Sequence, residues 1–373
     1  MNTDTEIMTS KSRATLVLGL TLLLGGCAHR GKLAPGEALS EPERLKAIER
    51  ASVWSPANIA SIDFKTGPQG KGAFAPNEWV SCEYKKKKMS GQSPKFECET
   101  SPGQAIKVKY GPTNAEVFGE VLATRLYWAL GFPADRMYPV RIKCHGCSPD
   151  PKHDPKPTQK TEEFDPATVE RKIEGRAMES HADSGWKWSE LERIGPESPP
   201  EARTHRDALK LLTSFVQHTD SKPSNQRLLC PAGQEIGKTG CKQPVMMVQD
   251  LGLTFGNSGL LNKNKNSVSY ANWVDVPVWK EGEARCVARL KGSFTGTLSD
   301  PVISEAGRAF LAGLLVQLTD AQLRDLFESA RVRRRSADPS GGGDKVLKLV
   351  GVDDWVIAFK KKRAELVDRQ CAP

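Results

Sequence analysis

Two hydrophobic patterns divide the chain. Between residues 78 and 111, the runs "EWVSCEYK", "KFECET" and "AIKVKYG" alternate apolar and polar positions with period two. The turn-rich stretches "KKKMSGQSP" and "SPGQ" separate them, which predicts a three-stranded antiparallel meander. The period then changes. Val117, Val121, Leu122, Leu126 and Leu130 recur at helical spacing, Thr113 or Asn114 can cap the helix, and Gly131 and Pro133 end it. "RMYPVRIKC" and "ATVERKIEG" return to strand character.

From about Gly175 the pattern is mainly helical. "RDALKLLTSFVQH" places Leu209, Leu212, Phe215 and Val216 on one face, and "SEAGRAFLAGLLVQL" and "TDAQLRDLFESARV" are amphipathic. "PVMMVQDLG" reads as a short apolar strand, and residues 253–300 as polar and irregular. "RRRSADPSGGGDK" breaks the pattern before a last helix near "VDDWVIAFKKKRAEL". Strands come first and helices afterwards, so the expected class is α+β in two lobes. The expected boundaries are a leader over 1–26, a Gly/Pro/Lys-rich tether and irregular lead-in over 27–75, a β-rich N-lobe over 76–175 and a helical C-lobe over 176–373.

The leader has its own pattern. Lys11 and Arg13 precede "ATLVLGLTLLLGG", an apolar run shorter than the roughly 20 residues that span a bilayer. It ends in "LGGC", which resembles the bacterial lipobox, with Cys27 as the lipid acceptor. The resemblance implies an exported protein held on a membrane surface by its lipidated terminus. Ala28 after the cysteine implies the outer membrane of the bacterial cell envelope, facing the periplasm.

Composition adds two constraints. A formal charge of +9 over 373 residues suits anionic partners without choosing among them. Nucleic-acid binding would rest on charge alone and is not expected of an exported chain. Beyond Cys27 the cysteines are Cys82, Cys98, Cys144, Cys147, Cys230, Cys241, Cys286 and Cys371. An even number in an exported chain reads as disulfides, expected here to pair in order along the chain. Cys144 and Cys147 form a C-x-x-C; a structural disulfide is favoured, with a redox pair or half a zinc site as alternatives.

The candidate chemistry lies in "HTDSKPSN", His218 to Asn225, between the helical run and the strand that ends in "QDLG". Phosphoryl transfer needs a lysine on the nucleotide phosphates, an acid to hold that lysine, a base for the attacking hydroxyl, and metal ligands. The stretch resembles the protein-kinase catalytic loop H-R-D-x-K-P-x-N, and "QDLG" resembles D-F-G. The resemblance implies Asp220 as base, Lys222 as neutraliser of the transferred phosphate, and Asn225 and Asp250 as Mg²⁺ ligands. His218 is expected to be a packing residue that braces the loop rather than an acid–base catalyst.

"AIK" resembles the V-A-I-K strand. Lys107 is favoured for the phosphates because Ala105 would then lie under the adenine; Lys109, on the same face, stays open. Glu120, or Glu116 one turn earlier, would anchor the lysine. "SGQSPKF", with Gly91 and Lys95, resembles the phosphate-side loop of HipA-like kinases. "GEVLATRLYWALGFPADRMYPV" resembles the following helix and strand in that family and in phosphoinositide-kinase-like proteins.

This superfamily resemblance covers about residues 76–260 and implies a bilobal fold, ATP and Mg²⁺ as ligands, and an acceptor hydroxyl that the sequence does not identify. Thr219 stands where kinases carry arginine, which argues against activation through a phosphorylated loop. ATP is scarce outside the cytoplasm, so a catalytically inactive binding module (a pseudokinase) is the alternative. A disulfide oxidoreductase at Cys144/Cys147 is a third reading and would need an exposed thiol of low pKa. "KKKK" at Lys85–Lys88 reads as a solvated face, and Trp128, Trp186 and Trp188 as core or interface.

Overall fold

The computed structural model describes residues 38–180, 184–194, 200–336 and 350–372. The leader, Cys27 and the glycine-rich stretch over 337–349 lie outside the described residues. The fold is mixed α+β, with a β-rich N-terminal region and a more helical C-terminal part.

Five strands form the β-rich region: β1 (Trp79–Lys85), β2 (Lys95–Glu99), β3 (Ala105–Tyr110), β4 (Arg136–His145) and β5 (Thr161–Arg171). The expected meander β1–β2–β3 is present, but it is part of a closed barrel in the order β1-β2-β3-β5-β4. Closure comes from a parallel pairing of β1 with β4, in which Cys82 faces Cys144. Val80, Phe96, Ile106, Val108, Tyr138, Val140, Ile142 and Val169 fill the interior. The period-two pattern sends Ala105, Lys107 and Lys109 of β3 to the other face.

α2 (Glu116–Ala129) packs on β4 and on α6 (Asp320–Ser329), and nearly all of its residues are buried. The N-cap position falls on Ala115, not on Thr113 or Asn114 as expected; Asn114, one residue earlier, accepts from the Glu116 amide through Oδ1 at 3.2 Å. α3 (Pro200–Phe215), α5 (Glu305–Leu315), α6 and α8 (Val352–Asp368) build the helical part, with the short α4 (Tyr270–Val274) and α7 (Val332–Ser336) between them. Its aromatic centre stacks Trp273 on Trp355 with ring centroids 5.7 Å apart. A second sheet joins β6 (Gly175–Ala177), β7 (Gln226–Pro231) and the strand Val245–Val248. A two-residue hairpin (Glu235–Ile236 with Gly240–Cys241) interrupts it.

The stretch expected to be a tether is corrected in its described part. α1 (Glu41–Glu49) is a helix, and Leu39, Ala47, Ile48, Val53, Ile59 and Phe64 belong to the main core. The pattern was obscured because one inward residue is an arginine. Arg44 is fully buried and donates to Glu190 at 2.7 Å and to the Gly185 carbonyl at 2.7 Å.

The eight described cysteines form four disulfides: Cys82–Cys98, Cys144–Cys147, Cys230–Cys241 and Cys286–Cys371. Cys144 and Cys147 are bonded to each other and fully buried, which removes the exposed thiol that redox chemistry would need. Trp186 and Trp188 pack edge to face in the core, and Trp128 lies against it, partly buried. No helix among the described residues is long and apolar enough to cross a membrane.

Candidate active site

β3 delivers a lysine to the first turns of α2. Its Lys109 is buried, and its ammonium contacts Glu116 and Glu120 at 2.5 Å and Asp250 at 2.9 Å. Spacing explains the first two contacts, because residues four apart on a helix share a face. Against the desolvation that would lower it, the three acids, Asp250 foremost, hold the Lys109 pKa well above its usual value. Desolvation would raise Asp250, but Lys109 and Lys107 hold it well below the carboxylate range, while its side chain still keeps part of its exposure. Burial pushes Glu120 up to about 8 despite Lys109.

The geometry separates Lys107 from Lys109: it is Lys109 that reaches the α2 acids and Asp250. Both lysines have the same parity, so alternation cannot separate them. Register does. Lys107 stands directly opposite Glu170 of β5 and pairs with it across the strands. Lys109 stands opposite Thr168, which makes no such claim, and lies one step nearer α2.

Asp250 follows the strand Val245–Val248 and has a left-handed backbone, φ 55°. Aspartate tolerates this conformation better than most residues, and such strain concentrates at functional positions. Gly252 is required two residues on: a Cβ there would strike the Glu116 side chain. The same closeness appears from the other side, where a Cβ on Gly119 would strike the Gly252 carbonyl. The D-x-G turn is thus pressed onto α2, which brings Asp250 to Lys109.

The second cluster is the loop Asp220–Asn225. Asp220 Oδ2 receives Lys222 Nζ at 2.6 Å and Asn225 Nδ2 at 2.9 Å. Asn225 also donates to the Asp220 carbonyl at 2.7 Å. The Gln249 amide donates to the Asn225 carbonyl at 2.8 Å, tying this loop to the residue before Asp250. His218 is fully buried below the loop; burial lowers its pKa to about 4, so it is neutral near pH 7. Neither of its ring nitrogens has a hydrogen-bond partner.

The β1–β2 loop closes the edge of the site. Ser93 Oγ donates to Glu116 at 2.8 Å. Lys95, opposite Lys109 in the β2–β3 register, is only 9% exposed, and burial first and Lys109 second lower its pKa. Its ammonium sits close over Gly91. Beside it lies a cavity of about 400 Å³ lined by Lys86, Lys87, Lys88, Lys95 and Lys152. The lysine run is therefore only partly a solvated face: Lys85 and Lys87 pair with Glu99 and Glu97 on β2, and Lys86 and Lys88 border the cavity.

One participant lies outside every motif. The segment 292–297 crosses the Asp220 loop, and Thr295 Oγ1 donates to Asp220 Oδ1 at 2.5 Å. Nothing in the local pattern marks it. The segment is 75 positions further along the chain and reads as irregular polar loop.

No family model matches this chain, and no curated protein matches it. The crystal structure of a Helicobacter pylori proinflammatory kinase, CtkA, is similar to it with a TM-score of 0.41 and 11% identity, covering 79% of this chain and 96% of that one. The likeness is distant and assigns no residue a role.

Proposed function

We propose that this chain binds ATP with Mg²⁺ and transfers the terminal phosphoryl group to a hydroxyl. The observation that carries the reading is the shared lysine: Lys109 joins both α2 acids to Asp250, and Asp250 adjoins the interlocked Asp220–Lys222–Asn225 loop. These are the parts that phosphoryl transfer requires. Lys109 and Lys95 would meet the phosphates as cations. Asp220 would orient the acceptor hydroxyl and take its proton, and Lys222 would neutralise charge on the transferred group.

Glu116 and Glu120 are taken up by the Lys109 ammonium, whereas the Asp250 side chain keeps 38% of its exposure and offers a hard carboxylate oxygen to a divalent cation. Asp250 and Asn225 would hold the ion, which supplies charge neutralisation for the phosphates. We further propose a chain lipidated at Cys27 and tethered to the envelope.

Titration of ATP with Mg²⁺ into the oxidised chain, beside Asp250→Ala, tests the reading. Binding that requires both Mg²⁺ and Asp250 supports it; equal binding by the variant would overturn it. A second reading is a binding module that keeps the fold without catalysis. The four disulfides favour it, since they belong to oxidising compartments where ATP is scarce. A folded chain that binds no nucleotide but retains a stable envelope partner would select it.

A further inference from the structure

We propose that Thr295 is a modification site: an acceptor hydroxyl of this chain's own, seated on Asp220 and phosphorylated in cis. The inference rests on the phosphotransferase reading above. A general base must lie within hydrogen-bond reach of the proton it removes. Thr295 Oγ1 meets that condition, donating to Asp220 Oδ1 at 2.5 Å, while the opposite oxygen of Asp220 is held by Lys222 and Asn225.

The segment is fitted to the loop and does more than rest on it. Ser293 Oγ donates to the Thr219 carbonyl at 2.6 Å, and Thr297 Oγ1 donates to the Ser221 carbonyl at 2.7 Å. Thr295 is thus bracketed by anchors to the residues on both sides of Asp220. Asn262 donates to the Thr295 hydroxyl and to Ser293 Oγ at 3.1 Å, fixing the hydroxyl from a third direction. Gly296 is needed for this approach, since a Cβ there would meet the Thr219 carbonyl at 2.6 Å. Asp220 is buried, whereas Thr295 and its neighbour Phe294 are exposed, so the acceptor residue is open to solvent on its other side.

The step balances without a further reactant beyond a nucleoside triphosphate. A lone pair of Thr295 Oγ1 forms the bond to the γ-phosphorus. The bond from that phosphorus to the β–γ bridging oxygen breaks, and its electron pair leaves on the nucleoside diphosphate. The hydroxyl proton passes to Asp220 Oδ1. The new phosphate would stand beside the Asp220 carboxylate, and like-charge repulsion would drive the segment off the loop and open it to other hydroxyls.

The test is incubation of the oxidised chain with ATP and Mg²⁺, followed by intact mass and mapping of the tryptic peptide Gly292–Arg308. We expect one phosphoryl group per chain on Thr295, gained at a rate independent of protein concentration. It should be lost in Thr295→Val and restored in Thr295→Ser. Phosphate elsewhere with Thr295 bare, or a rate that rises with protein concentration, would overturn the inference. Nucleotide binding is titrated in parallel. ATP that binds without modifying Thr295 sinks this inference alone; absence of binding sinks the phosphotransferase reading with it. Hydrogen exchange without nucleotide supplies a readout independent of turnover: residues 292–297 should be protected, and exchange at the rate of a free peptide would show that the hydroxyl is not seated.

Discussion

Lys109 Nζ lies 2.9 Å from Asp250 Oδ1 and links β3 of the barrel to the turn that follows the strand Val245–Val248. The same ammonium holds both acids of α2, so one side chain joins three separate segments. A buried charge of this kind is costly unless fully paired, and removing it strands its partners.

Replacement of Lys109 should therefore affect folding and ligand binding together. Lys109→Met is expected to cost about 3 kcal/mol of stability, because three carboxyl groups lose their common cation. It should also weaken ATP·Mg²⁺ binding by about a hundredfold, the equivalent of one or two charge-assisted hydrogen bonds. Lys107→Met should cost less, since Glu170 keeps Lys172 at 3.4 Å, and should leave nucleotide affinity within about threefold. Urea unfolding and calorimetric titration of both variants decide the matter. A larger binding loss for Lys107→Met would restore Lys107 as the phosphate lysine.

The cross-strand pair gives a pH dependence with a definite sign. Burial would raise Glu170, but Lys107 and Lys172 pull it down to about 2. A depressed carboxyl stabilises the fold fully above its ordinary pKa, near 4.5, and loses that contribution as pH falls toward 2. The contribution is on the order of 3 kcal/mol as an upper figure. The stability gap between the wild type and Glu170→Gln, read as the urea midpoint, should be constant near neutrality and close below about pH 4. A gap that widens on acidification would contradict the pairing.

Asp135, 4% exposed and close to Glu170, contributes in the opposite direction. Burial first, and Glu170 second, push it up to about 6, so its charge opposes folding increasingly from about pH 4 to 6. Asp135→Asn should flatten that part of the stability profile. A variant that is less stable than the wild type at neutral pH by more than about 1 kcal/mol would indicate that the Asp135 charge is required.

Gly252 provides a steric test of how Asp250 is placed. Alanine there meets the Glu116 side chain, so Gly252→Ala should cost about 1–3 kcal/mol and displace Glu116 from Lys109. Nucleotide binding should fall with it. Gly313, in α5, has open space around its Cβ position, so Gly313→Ala should be neutral or stabilising by up to about 1 kcal/mol. Equal melting shifts for the two variants would show that the D-x-G turn does not press on α2.

What could be read from the sequence follows from how local each signal is. Asp220, Lys222 and Asn225 lie within one loop, and Glu116 and Glu120 within one helical turn, so spacing alone groups them. The choice between Lys107 and Lys109 depends on which residue of β5 stands opposite each, and no local pattern carries that register. The parallel β1–β4 closure and the Thr295–Asp220 contact are likewise pairings between distant segments. α1 was obscured by chemistry more than by distance: a buried Arg44 paired with Glu190 looks, residue by residue, like solvent-facing surface.

The longest disulfide closes the helical part. Cys286 and Cys371 are separated by 85 residues, against 11 for Cys230 and Cys241. In the chain-entropy account a cross-link stabilises by restricting the unfolded chain, more so for longer loops: about 4.5 kcal/mol for the first and about 3 for the second. Cys286 also precedes the segment that reaches Asp220, and the Cys371 amide donates to Glu305 at the start of α5. The double variant Cys286→Ser, Cys371→Ser should therefore lose more stability than Cys230→Ser, Cys241→Ser, and should raise hydrogen exchange over residues 292–297. If both pairs cost the same and exchange over that segment is unchanged, the C-terminal cross-link has no part in seating Thr295.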